Sequence, residues 1–305
     1  MHILTEGGSL LIFSGVLLAY WLIQAAVMLR RLAGDPVLSP DPPPLASAPL
    51  VSIVLPVRDE ARNIEACIRS CQGQTHRNWE LIIVDDRSAD QTSELARSLR
   101  EGDRRIRLLS NHSDPPPDWS GKVFANTQGA REARGEWLVF TDADTRHHPA
   151  HLQSALSYCL NRGVELLTVF PGLECPTFWE KVIQPFVFWL MWDYYPPAAA
   201  NRPGGRRGGA SGTFFLVKRE AYERMGGWAS VHDCIPDDVA FMERAQELKI
   251  AAHIVIGATI RVRMYHGFRE SFAGWSRYML SGANNNILIA LLAIFYSAAF
   301  NVAPF

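Results

Sequence analysis

EWLVFTDADTR, Glu136 to Arg146, is a short apolar run that stops on two aspartates one residue apart, Asp142 and Asp144. A run of this length bounded by polar residues reads as a buried strand, and it delivers two carboxylates to the end of a sheet. Two chemistries fit the letters. One carboxylate can act as nucleophile and the other as acid/base, or the pair can hold a divalent cation against a diphosphate. The neighbouring segments have to decide between them.

Leu50 to Val57, LVSIVLPV, is a β-branched run of the kind buried in a parallel sheet. A helix is expected from Asn63 to about Gln72, and Trp79 to Val84, WELIIV, is a second strand ending on Asp85 and Asp86. Helix follows from Asp90 to Arg100 with Asp90 as its N-cap, then a strand from Arg105 to Leu109, then helix from Val123 to Arg134 that leads into WLVFTDAD. Alternating β and α elements predict an open α/β sheet with parallel strands, whose ligands sit beyond the carboxyl ends of the strands. Asp85, Asp86, Asp142 and Asp144 all fall at such ends, around one crevice.

The chain has 305 residues, 48% of them hydrophobic and 20% charged, so it can bury one large α/β domain or two small ones. Its formal net charge of -1 gives no global field for nucleic acid. The five cysteines lack paired metal-ligand spacing and read as reduced thiols.

Both ends are more apolar than the mean. Ser9 to Met28 carries no charge and is long enough for a membrane-spanning helix, so residues 1–31 are expected to be an N-terminal transmembrane anchor. Arg30 and Arg31 follow it, and by the positive-inside bias they put the next domain on the cytoplasmic face of the inner membrane. Residues 32–49, rich in proline, are expected to be a semi-rigid linker outside helix and sheet. Residues 286–305 read as a C-terminal transmembrane helix. Residues 177–197, TFWEKVIQPFVFWLMWDYYPP, are aromatic but interrupted by Pro185, which suits a helix lying on a bilayer surface better than one crossing it.

VSIVLPVRDEARNI, IIVDDRSADQT and WSGKVFANTQGAREARGEWLVFTDADT resemble the successive blocks of glycosyltransferase family 2 with the GT-A fold, over residues 50–280. WSGK with FTDADTRHHP is most similar to the membrane-anchored branch that acts on lipids, including hopanoid-associated, carotenoid and ceramide-type enzymes. The resemblance implies that Pro56 and the following Arg58, Asp59 and Glu60 shape a nucleotide-binding loop. It puts the Asp85-Asp86 doublet at the nucleotide, with Asp86 accepting a hydrogen bond from the base. Asp142 and Asp144 would hold Mg²⁺ or Mn²⁺, Asp144 the more directly. In CIPDDVAFMERA it assigns Asp237 and Asp238 to the acceptor side, Asp238 as general base. The reaction implied is inverting transfer of one sugar from a nucleotide-sugar donor, expected to be a UDP-sugar, to a hopanoid, carotenoid, ceramide-like or polyprenyl phosphate acceptor in the bilayer.

Physical chemistry supports several of these roles. A strand-end carboxylate can accept the imide N–H of uracil. Mg²⁺ takes only one or two protein carboxylates and completes its shell with water and phosphate oxygens. Adjacent carboxylates raise one another's pKa, which tunes one toward proton abstraction. Lys122, beside a glycine at a helix start, can meet a phosphate or sugar. PGGRRGG, with Arg206 and Arg207, reads as a loop able to close on phosphate, and Gly209 to Trp228 resembles the family's acceptor-side block. His147 and His148 read as polar loop residues rather than ligands.

RESFAGWSRY, Arg269 to Tyr278, stands where processive members carry QxxRW, and that motif is absent. Single-sugar transfer is therefore expected, with Arg277 still able to reach the diphosphate. Two alternatives remain: a catalytically silent membrane scaffold that keeps the fold, and a haloacid-dehalogenase-like phosphatase using DxDxT. The second is disfavoured because that fold wants its DxDxT near the domain start, whereas here several α/β elements come first.

Overall fold

The computed structural model describes residues 2–45, 47–202 and 209–282. Pro36–Gly274 form one compact unit; α1 (His2–Gly34) and the residues from Trp275 onward belong to another. The larger unit runs β1 (Val37–Leu38), β2 (Val51–Val57), α2 (Ile64–Gln72), β3 (Trp79–Asp86), α3 (Thr92–Glu101), β4 (Ile106–Asn111) and α4 (Gly121–Glu132). It continues with β5 (Trp137–Thr141), β6 (Thr145–His147), α5 (His151–Arg162), β7 (Leu166–Leu173), α6 (Phe178–Tyr194), α7 (Pro197–Ala200), β8 (Phe214–Lys218) and α8 (Arg219–Met225). A 3₁₀ turn (Trp228–Val231), α9 (Asp237–Glu247), β9 (Ala252–Val262) and α10 (Gly267–Gly282) complete the described chain.

The strands form one sheet in the order β1-β9-β7-β8-β5-β2-β3-β4, with β6 added antiparallel to β9. The half from β5 to β4 is parallel, as the alternation of elements requires. Beyond that half the sheet is mixed: β8 runs antiparallel to both β5 and β7. The chain leaving α7 bonds Ile254 through Asn201, and Ser211 bonds Thr168, so β8 begins beside Thr168 and runs back toward Leu166.

Side-chain alternation explains why helices cover both faces. Val51, Ile53, Leu55 and Val57 of β2 point into one core with Ile64 and Ile68 of α2, while Val54 points into the other with Val123 of α4 and Phe241 of α9. Every residue of β3 is buried, which is why its apolar run is nearly continuous. Each fully buried Val, Ile or Leu contributes about 1.5 to 3 kcal/mol of transfer free energy, so the central strands anchor the loops at their carboxyl ends.

Of the expectations about the flanks, the one for the linker changes. Residues 32–49 are not a spacer outside the sheet: β1 pairs in parallel with β9, Val37 opposite Ile256, and Leu38 is buried. Asn78 Nδ2 donates to Ala48 O at 2.8 Å and Ser154 Oγ to Ser39 O at 2.6 Å, so side chains of the domain satisfy carbonyls of this proline-rich segment and hold it along the surface. The 177–197 segment is helical straight through Pro185, started by a capping box between Thr177 and Glu180. At the N-terminus α1 covers the expected anchor as helix, but among the described residues no helix is long and apolar enough to cross a membrane. The expected C-terminal span at 286–305 and the Arg206-Arg207 loop lie outside the described residues.

Candidate active site

The carboxyl ends of β2, β3 and β5 surround a cavity of about 410 Å³ whose lining includes Pro56, Arg58, Glu60, Asp86, Gly121, Lys122, Asp142 and Asp144. Four separate sequence blocks thus meet in one place. The loop after β2 is stitched to the loop after β3: Glu60 N–H donates to Thr92 Oγ1 at 2.7 Å, Ala61 N–H to Asp90 Oδ2 at 3.1 Å, and Ala89 N–H to Asp59 Oδ1 at 2.7 Å. Asp90 also accepts from Thr92 N–H at 2.9 Å, although Gln91, not Asp90, occupies the N-cap position of α3.

The doublet at the end of β3 divides. Asp86 faces the cavity, where Arg87 Nε donates to it at 3.1 Å and Arg58 stands 3.8 Å away. Gly121 makes that orientation possible, because a Cβ there would lie 2.5 Å from Asp86 Oδ2. Asp85, expected beside it at the nucleotide, does not line the cavity; its carboxylate accepts from Ser88 N–H at 3.1 Å and from Ser93 Oγ, and so closes the β3–α3 turn. Adjacent strand residues point to opposite sides, which forbids both from reaching one crevice.

Ser120 caps α4 by accepting from Val123 N–H at 3.2 Å, which places Lys122 in the first turn with its ammonium over β5. Lys122 Nζ lies 2.7 Å from Asp142 Oδ1 and 3.4 Å from Gly212 O. Burial opposes its charge, but Asp142, Asp237 and Asp238 outweigh burial and hold its pKa above the ordinary lysine value. Lys122 offsets the burial of Asp144 only in part. Burial first, then Asp142 and Glu60, push its pKa up to about 7, and Asp144 Oδ1 is buried without a hydrogen-bond donor. Glu60 is likewise raised, by burial first and also by Asp142.

No group of three or more His, Cys, Asp or Glu side chains forms a closed metal cage among the described residues. A site of two carboxylates opening on a cavity, one with an orphaned buried oxygen and a raised pKa, fits a hard cation that takes its remaining ligands from water and phosphate. Asp142 and Asp144 would hold it.

On the other side of Lys122, Asp237 and Asp238 open α9 as expected. Asp238 Oδ2 accepts from Gly212 N–H and Oδ1 from Val239 N–H, both at 2.9 Å. Burial first, then Asp237, push its pKa up to about 6, while Lys122 and the two backbone donors pull the other way. Gly212 therefore links the two halves, its N–H held by Asp238 and its carbonyl facing Lys122. A Cβ there would sit 3.2 Å from Asp238 Oδ2 and 3.4 Å from Lys122 Nζ. Arg277, expected at the diphosphate, is exposed on α10 and belongs to the unit that does not hold the cavity. His147 is not a loop residue: it is buried in β6 beneath the Asp142–Asp144 turn.

A family model described as Glycosyl transferase family 2 matches residues 52–226. The Haloferax volcanii glycosyltransferase AglE is 29% identical over 124 residues, 40% of this chain and 39% of that protein. The Escherichia coli UDP-Glc:alpha-D-GlcNAc-diphosphoundecaprenol beta-1,3-glucosyltransferase WfgD is 31% identical over 118 residues, 39% of this chain and 44% of that protein. The match thus spans about two-fifths of the length of these curated relatives, 39% and 44%. Among solved structures, the mannosyltransferase PcManGT from Pyrobaculum calidifontis, in complex with GDP-Man and Mn²⁺, superimposes with a TM-score of 0.58 at 20% identity, covering 94% of this chain and 84% of that one. TarS of S. aureus with UDP-GlcNAc gives 0.52 at 13% identity, covering 76% of this chain and 64% of that one. These likenesses establish the α/β GT-A fold.

Proposed function

The chain belongs to glycosyl transferase family 2, and from that premise we propose that it transfers a single sugar, with inversion and metal dependence, from a nucleotide-sugar donor to a hydroxyl or phosphate group of a membrane lipid. The observation that carries the reading is the convergence of Asp86, Lys122, Asp142 and Asp144 on one cavity, with Asp238 tied to the same cluster through Gly212. Family membership sets aside the phosphatase alternative.

In this reading Asp86 accepts the imide N–H of the base, and the loop of Pro56 and Glu60 holds the nucleoside against the ends of β2 and β3. Lys122 turns from Asp142 to the diphosphate, where its charge opposes the charge that develops on the leaving group. A divalent cation at Asp142 and Asp144 would supply further neutralisation of that group. Asp238, whose pKa of about 6 leaves it mostly ionised at neutral pH, takes the acceptor proton on a carboxylate oxygen.

A lipid acceptor and a place on the cytoplasmic face of a membrane are supported by surface chemistry. Exposed Val16, Leu18, Leu22, Ile23 and Leu29 line α1, followed by Arg30 and Arg31. In the other unit Phe178, Trp179 and Val182 of α6 and Phe268 and Phe272 of α10 are exposed, and Trp179 packs on Phe268 with ring centroids 5.0 Å apart. Such clustered exposed aromatics suit a bilayer interface.

The test is a hydrolysis and transfer screen across UDP- and GDP-sugars with Mg²⁺, Mn²⁺ or EDTA, with total membrane lipid as acceptor. Metal-dependent turnover of one donor is expected. Failure to turn over any donor by folded protein would overturn the enzymatic reading in favour of a scaffold.

A further inference from the structure

Beneath the Asp142–Asp144 turn lies a buried polar cluster that the proposed chemistry does not use: His147, Thr141, Thr145 and Cys67. His147 Nε2 is 3.1 Å from Thr141 Oγ1 and 3.1 Å from Thr145 Oγ1. The direction of these bonds follows from where the hydroxyl protons go. Thr141 Oγ1 donates to Thr213 O at 2.9 Å, and Thr145 Oγ1 donates to Asp142 O at 2.7 Å. Each threonine has one proton, and each is already given to a carbonyl. The two hydroxyls are also 3.1 Å apart; with both protons given to the carbonyls, each can accept from the ring, an arrangement that assigns the proton to Nε2, shared between them.

The two carbonyls are not arbitrary. Asp142 O belongs to the first carboxylate residue of the turn and also receives the Cys67 thiol at 3.6 Å. Thr213 O receives Asp142 N–H at 3.4 Å, and Thr213 follows Gly212, whose N–H is fixed by Asp238. The ring thus stands beneath both the backbone that carries Asp142 and the backbone that carries the contact to Asp238.

We propose that His147 is a positioning residue: as a neutral Nε2–H donor bridging Thr141 and Thr145, it sets the Asp142–Asp144 turn and the Gly212 segment in register with one another. It touches neither donor nor acceptor. The neutral form is the one the burial favours, since burial first and Arg146 second push the His147 pKa down to about 4. The proposal rests on the reading of Asp142 and Asp144 as cation ligands.

The test uses the full chain and three variants, His147→Leu, His147→Gln and His147→Asn. Binding of Mn²⁺ is followed by electron paramagnetic resonance in the presence of UDP or GDP, whichever the parent binds, together with thermal unfolding. A glutamine amide places an N–H where Nε2 stood, whereas an asparagine amide corresponds to Nδ1. His147→Leu should weaken Mn²⁺-nucleotide binding by about 10- to 100-fold, the range for groups that orient metal ligands. His147→Gln should recover most of that loss, and His147→Asn should not. If His147→Leu does not fold, the Gln-to-Asn affinity ratio decides by itself. Equal affinities for Gln and Asn, or parental affinity for Leu, would overturn the proposal. A parent that binds no Mn²⁺ with either nucleotide would instead overturn the metal-site reading on which it rests.

Discussion

Replacing Asp238 by Asn separates a general base from a helix-start carboxylate, because the two roles act on different observables. Asn keeps one carbonyl oxygen and turns the other acceptor into an NH₂ group. One of the two bonds at 2.9 Å, to Gly212 N–H or Val239 N–H, then faces donor to donor. Losing it costs about 1 to 3 kcal/mol. The opposite contribution comes from charge: the folded pKa of about 6 lies above the ordinary 3.8, so the ionised carboxylate destabilises the fold at neutral pH and its removal gives part of that back. The net change in stability should stay within about 2 kcal/mol, or a few degrees of melting temperature for a unit of this size. A general base contributes roughly 10² to 10⁴ in rate, so turnover onto lipid should fall by at least about a hundredfold while nucleotide-sugar binding holds. Parental activity should itself fall as pH drops through about 6, where Asp238 takes up its proton. Measured together, kcat with a vesicle-borne acceptor, donor affinity and melting temperature decide the matter. Near-normal kcat with early melting would refute the base assignment and move the search to Asp237 and Asp233.

Asp144→Asn should abolish metal-dependent donor binding, measured by calorimetry with and without EDTA. It should also raise the melting temperature of metal-free protein at pH 8, because the folded pKa of about 7 exceeds the ordinary 3.8; that gain should shrink as pH falls from 7 toward 3.8. Gly121→Ala pushes a methyl to 2.5 Å from Asp86 Oδ2; a strain of about 1 to 3 kcal/mol should appear as a roughly tenfold or greater loss of nucleotide affinity with kcat little changed. Glu180→Ala removes a fully buried carboxylate that accepts from Gly267 N–H at 2.8 Å and Arg263 at 3.3 Å; at about 1.5 to 3 kcal/mol each, the loss should lower the melting temperature by about 6 °C or more. Lys122→Met should raise the pH midpoint of the acidic limb of kcat/KM, because Lys122 holds the Asp238 pKa down.

The parallel half of the sheet is legible because β2, β3 and β5 are near-continuous apolar runs, and two of them end on aspartates. Strand direction is not a local property, which is why β8 reads as a strand-like FFLVK without declaring that it runs backwards. The division between Asp85 and Asp86 was accessible in principle: along an extended chain, neighbours face opposite ways, so only one of a doublet can serve a crevice. The same period of two hides in TRH, where Thr145 and His147 are buried and Arg146 between them is less so. Read as a polar loop, those letters conceal the cluster; read as a strand, they place it under the Asp142–Asp144 turn. The docking of residues 37–38 on β9 could not have been found locally, since its cause is a free edge supplied by residues more than two hundred positions later.

Lys122 explains how a site so rich in carboxylates can be ordered in time. Around one ammonium stand Asp142, Asp237 and Asp238, and without that charge the mutual repulsion of the acids would be uncompensated. A diphosphate in the cavity would compete for the same ammonium, and a cation held by Asp142 and Asp144 would relieve the acid whose buried Oδ1 has no hydrogen-bond donor. On the proposed function, donor binding would draw Lys122 away from Asp142, and a cation held there would replace the lost counter-charge. Asp238 would then lose part of the field by which Lys122 opposes the rise of its pKa and would become more basic. On this account proton abstraction is favoured once the donor is in place, and the coupling runs through a single side chain, not through a movement of the domain.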